Sequence, residues 1–253
     1  MSPVPTGAVR PVDHGIANET FRRAIVAAGR APTTDRVQPW RWRVSSGLLD
    51  LFIEHGREPT GRRTMISCGA ALHHARLTLA AQGWRVTVTR QPDGDTPAHL
   101  ARLRLDGPAP VSADTTELAG AIRQHPGPPA ADGGPIEPAH LRTVVTAFET
   151  QHVGLALLSP DQAGALTGEP GAVLAVLHGP QDRNLDWLHA GEALSAGTLV
   201  AGGLGVTVEM LGHDPEPLRR TVPELGFPYL VVRLRQDAAG PPATAGLAGD
   251  RQG

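Results

Sequence analysis

The chain of 253 residues contains no lysine, and its 23 basic side chains are all arginine. Neither Schiff-base chemistry nor a Walker-type phosphate loop is therefore open to it. Cysteine is almost as scarce. Cys68 is the only one, so no internal disulfide can form and the chain suits a reducing cytoplasm. Charge is nearly balanced at −2, with no basic excess to attract nucleic acid. Residues 1–15 hold three prolines and no apolar run, unlike a signal peptide. The longest apolar candidate, 194–208, is interrupted by four glycines and follows Glu192, so no membrane partner is expected.

Chemical motifs are also missing. None of the 11 histidines forms a His-x-x-x-His pair, and Cys68 has no cysteine partner, so no metal site is expected. Ser195 lacks the Gly-x-Ser-x-Gly elbow of a serine hydrolase. Gly203-Leu204-Gly205 follows a helical pattern and has Val208 where a dinucleotide fingerprint needs glycine. Cys68 falls on an apolar helical stripe, which makes it a core residue rather than a nucleophile.

What is present centres on Arg30–Val44, a polar crossing between an amphipathic helix and a strand. Pro32 and Pro39 push the residues before them toward extended backbone, which ends the helix near Arg30 and straightens the chain before Trp40. Two threonines, Gln38, two tryptophans and several arginines lie within it. Guanidinium forks suit phosphate, hydroxyls and amide suit a polar ring edge, and an indole suits a flat face. The competing reading is a polar surface loop whose tryptophans root in the core.

Around this stretch the pattern alternates helix and strand. Residues 1–17 read as a disordered lead, and Asn18 caps a helix carrying Phe21, Ala24, Ile25 and Ala28 on one face. Strands are expected over 40–44 and 48–54, a helix over 64–82, and strands over 84–90 and around 101–105. A short helix near 116–124 precedes a Pro/Gly-rich linker at 126–137. The second half, 138–235, repeats the alternation, and 236–253 reads as a disordered tail. The fold class is α+β, in two halves of 18–125 and 138–235. Within 183–203, Gly191, Ser195, Thr198 and Gly202 recur at helical spacing, which lets a second backbone approach closely.

The run Ala31-Pro32-Thr33, Gln38-Pro39-Trp40-Arg41-Trp42, followed by Gly61-Arg62 and Ile66-Ser67-Cys68-Gly69-Ala70-Ala71-Leu72, resembles the nitroreductase superfamily. It is most similar to the dormancy-associated, Acg-type branch. The run 190–196 and the ending Leu225-Gly226-Phe227-Pro228 are similar to that branch's C-terminal half. The resemblance implies two nitroreductase-like half-folds, with mixed central sheets packed by helices. It also implies bound FMN that passes hydride from NAD(P)H to a small organic acceptor, and a homodimer. Its flavin pocket would be lined by Arg30, Thr33, Arg36, Gln38 and Trp40. The flavin carries the chemistry, so no catalytic acid or base is assigned. Thr33 stands where the family has serine, and Arg36 where it has asparagine. A middle arginine-rich motif is reduced to Arg123-Gln124-His125-Pro126, and the chain is shortened between Gly168 and Gly171. These departures keep an alternative open, a non-catalytic relative acting as flavin store or partner subunit.

Overall fold

The computed structural model describes residues 14–34, 37–54, 61–94, 98–123, 134–149, 153–167, 173–211 and 215–237. Helix α1 spans His14–Ala28. It begins four residues ahead of the expected Asn18 cap, because Ala17 is buried on the stripe that continues through Phe21, Ala24 and Ala28. Packing of that stripe carries the helix back the extra turn.

Strands β1 (Trp40–Ser45) and β2 (Leu48–Ile53) form a hairpin. Its turn residues Ser46 and Gly47 both have positive φ, the twist that suits a two-residue connection. Helix α2 covers Arg62–Ala81 and ends at Gly83, whose φ of +81° reverses the chain into β3 (Trp84–Arg90). Strand β4 is His99–Pro108, and the four strands lie in the order β1-β2-β4-β3. Helix α3 (Ala113–Ala121) starts ahead of the expected Thr116, because the Ser112 hydroxyl accepts the Thr115 N–H at 3.1 Å and caps it. Most of the expected linker lies outside the described residues, as do the expected lead before residue 14 and the tail beyond 237.

The second half runs α4 (Pro138–Phe148), β5 (Gly154–Leu157), α5 (Pro160–Thr167) and β6 (Val173–Gly179). It continues with α6 (Asn184–Gly203), β7 (Val206–Leu211), α7 (Pro215–Thr221) and β8 (Phe227–Gln236). Its sheet order, β5-β6-β8-β7, repeats that of the first half. Every ladder among the described residues is antiparallel. The α+β class is as the sequence led one to expect.

The halves join along α2 and α6. A Cβ on Gly69 would lie 2.0 Å from the Leu188 carbonyl oxygen, and one on Gly191 would lie 1.9 Å from that of Ile66. Ile66 and Leu188, Gly69 and Gly191, His73 and Ser195 each stand 122 positions apart. Reciprocal contacts at a constant offset mean that the two helices run in the same direction about a local two-fold axis. Their backbones touch where each supplies a glycine. Separate apolar cores lie on either side: Phe21, Leu49, Leu51, Met65 and Leu72 in the first half, Phe148, Leu177, Leu194 and Val232 in the second.

Candidate functional site

The crossing from Arg30 to Trp40 is held at several points. As α1 ends, the N–H groups of Gly29, Arg30 and Ala31 donate back to Ile25, Ala27 and Ala28. Thr34 then docks on the first turns of α2. Its N–H donates to the Ser67 hydroxyl at 3.1 Å, and its own hydroxyl donates to the Arg63 carbonyl at 3.3 Å. The Gln38 amide donates to the Gly29 carbonyl at 2.9 Å, tying the end of the crossing to its start. The Pro39 carbonyl accepts the Glu54 N–H, and the strand begins.

This arrangement sorts the residues singled out by sequence. Arg30 is exposed and Thr33 half-buried, so both are available to a ligand at the surface of the crossing. Gln38 is exposed, but its NH2 is committed to Gly29, which leaves its carbonyl as the free end of the amide. Trp40 is only 6% exposed and packs in the first core, so it anchors the loop rather than offering a stacking face. Arg36 lies outside the described residues. Sequence reading passed over Thr34 and Ser67, the pair that fixes the loop. They are 33 positions apart, and only the return of the chain through β1 and β2 brings them together.

Beside this loop, the N-terminal ends of α2 and α6 share a polar knot. Neither helix has a side-chain cap at its start, where Gly61 and Arg183 stand. Asp182, on the connection just ahead of α6, accepts from Arg62 through both oxygens at 2.8 and 3.0 Å. It also accepts from the Trp187 indole N–H at 2.8 Å and from Arg219 at 3.2 Å. The Arg62 guanidinium lies 5.5 Å over the Trp187 ring, and its Nε–H is buried with no acceptor. The Tyr229 hydroxyl donates to the Gln181 carbonyl. Burial and the nearby Asp186 and Asp182 carboxylates push its pKa up to about 12, so it remains a neutral donor.

Two further buried polar contacts cross between the halves. Arg90 at the end of β3 grips Glu192 of α6 with two bonds of 2.7 and 2.8 Å, and Glu192 is 1% exposed. His73 Nδ1 meets the Ser195 hydroxyl at 2.8 Å beside the two-fold axis. Burial, with Arg76 nearby, lowers the His73 pKa to about 3. His74 donates from Nδ1 to the Ala27 carbonyl, and burial lowers its pKa to about 4. Burial raises the Cys68 thiol well above its ordinary value, which makes it inert as the apolar stripe implied. Among the described residues no three His, Cys, Asp or Glu side chains come together as a metal site, and no helix is long and apolar enough to cross a membrane.

No family model matches the chain. Three proteins of Mycobacterium tuberculosis match part of it. "Putative NAD(P)H nitroreductase Rv3131" is 41% identical over 109 residues, which is 41% of this chain and 31% of the relative. "Uncharacterized protein Rv3127" is 35% identical over 113 residues, 41% of this chain and 33% of the relative. "Putative NAD(P)H nitroreductase acg" is 33% identical over 96 residues, 36% of this chain and 29% of the relative. The match thus spans about a third of each relative's length. Over that matched part the chain is similar to proteins named as NAD(P)H nitroreductases, Acg among them.

Proposed function

We propose that the chain is an FMN-dependent, nitroreductase-like oxidoreductase of the cytoplasm. In this reading it takes hydride from NAD(P)H and delivers it to a small organic acceptor, and it works as a homodimer. The observation that carries the reading is the crossing docked on the start of α2. There Thr34 and Ser67 fix the loop and leave Arg30 and Thr33 at its surface. The kinship of the matched segment to named nitroreductases supports the same chemistry.

The residues present fit FMN in part. Arg30 offers a guanidinium for its phosphate, Thr33 a hydroxyl and Gln38 a free carbonyl for the polar edge of its ring. FMN, when bound, supplies the hydride relay. The chain binds and orients the ligand, and the rigid attachment of the loop to α2 limits what that ordering costs. Trp40 takes no part in stacking, because its ring is committed to the core.

That commitment favours a second reading, a non-catalytic relative that stores flavin or serves as a partner subunit. One preparation separates the two. Absorbance at the flavin bands after gel filtration with excess FMN tests binding, and NAD(P)H oxidation with quinone or nitroaromatic acceptors tests turnover. Turnover that scales with bound FMN is expected. Bound flavin without turnover selects the store, and protein that stays colourless overturns the FMN-dependent reading and the store, leaving the partner subunit.

A further inference from the structure

We propose that Arg62, Arg219 and Trp187 form an oxyanion subsite for phosphate, and that Asp182 occupies this subsite in the free chain. The site stands apart from the residues assigned to the flavin loop and does not depend on that assignment. Three donors from three separate elements converge on one carboxylate: Arg62 from α2, Trp187 from α6 and Arg219 from α7. Such convergence of guanidinium forks and an indole N–H is the donor set that recognises a phosphate or sulfate group. Arg62 is 17% exposed and Asp182 27%, so the charges meet in a partly dried site where they interact more strongly than at an open surface.

The carboxylate does not exhaust the donors. The Arg62 Nε–H is wholly buried and has no acceptor, an arrangement that costs free energy unless something else completes it. Two carboxylate oxygens already receive Arg62, Trp187 and Arg219, and none is left for Nε. A tetrahedral oxyanion brings more acceptor atoms and up to one more negative charge to the same point. Asp182 can yield its place, because it lies on the four-residue connection between Gly179 and Asn184 rather than inside a helix or strand. Trp187 is held from below by the Arg62 guanidinium and stays in position when the carboxylate leaves.

Asp182 therefore competes with any phosphate that enters. Asp182→Asn removes the competing charge and nearly preserves the shape, so inorganic phosphate should bind this variant at least tenfold more tightly than the wild type in calorimetric titration at fixed ionic strength. Adding Arg62→Gln to the variant should abolish the gain. The wild type provides a measurement that does not depend on any variant's folding. Titration with inorganic phosphate should shift the Trp187 indole N–H resonance, assigned through Trp187→Phe, whereas chloride at equal ionic strength should not. Riboflavin and FMN separate the sources of the anion. A gain in Asp182→Asn for FMN but not for riboflavin assigns the subsite to a phosphate monoester. A gain for inorganic phosphate alone keeps the subsite but removes it from flavin binding. An unshifted Trp187 resonance overturns the proposal, and so does a gain that survives Arg62→Gln.

Discussion

At the scale of single residues, the telling feature is charge and polarity buried where the two halves meet. Arg90 and Glu192 bind through two short bonds, and Glu192 is 1% exposed. Removing the arginine leaves an uncompensated buried carboxylate, so Arg90→Ala should cost about 3–5 kcal/mol in denaturant unfolding. Replacing both residues by methionine should recover most of that loss, because the penalty belongs to the unpaired charge rather than to the bond. A single variant as stable as the wild type would show the pair to be open to water. His73 and His74 supply a second prediction. Their pKa values, lowered by burial to about 3 and about 4, lie below the ordinary value of 6.5. Between those limits the unfolded chain binds protons that the folded chain refuses, so stability is full above about pH 6.5 and falls as pH falls toward 4. The slope should approach about 1.4 kcal/mol per pH unit for each histidine. Urea unfolding at pH 7, 6 and 5 should show the decline, and His73→Gln should remove about half of its slope, leaving the share of His74.

At the scale of elements, α2 and α6 govern the architecture through a contact between glycines. Any side chain at Gly69 or Gly191 drives its Cβ into a carbonyl of the opposite helix, at 2.0 and 1.9 Å. Neither backbone can yield without parting the halves, so Gly69→Ala or Gly191→Ala should destabilise by about 3 kcal/mol or more. Gly202 on the same helix has nothing within 4 Å of its would-be Cβ. Gly202→Ala should therefore be neutral or stabilising by up to about 1 kcal/mol. Equal effects at Gly191 and Gly202, read as thermal midpoints, would mean that helix propensity rather than close approach is being measured. The small-residue spacing of α6 was visible in the sequence, but which of its positions meet a partner was not. Gly191 and Ser195 face the seam, whereas Gly202 faces open space.

At the scale of the whole molecule, two half-folds of the same strand order are joined about a local two-fold axis. They differ in their additions. Helices α5 and α7 belong to the second half, where Leu218 and Val222 of α7 pack with Val176 and Val231 of its sheet. The first half leaves Val26 and Val37 exposed at 53% and 47% on α1 and on the crossing that follows it. Covering such surface is one use of the homodimer proposed above. Light scattering is expected to give about twice the 26.5 kDa of one chain. A monomer at all practical concentrations would refute that assembly.

The strands were the most legible part of the sequence. The expected bounds of β3, residues 84–90, are those observed, because Trp84, Val86 and Val88 alternate with Arg85, Thr87 and Thr89 between one face and the other. The repeat of helix and strand also announced two halves, and the Pro-bracketed crossing announced a fixed loop, since proline acts through local sterics. Local chemistry could not reveal the partners of that loop or of the joint. Trp40 is a flat aromatic in sequence and a core anchor in the fold. Asp182 is an ordinary loop acid until the fold brings Arg62, 120 positions away, to its oxygens. The sequence alone determined periodicity, turns and the supply of donors, because these depend on neighbours along the chain. Tertiary structure decided which donors are buried and which carboxylate they hold, because those depend on where two glycines allow α2 and α6 to touch.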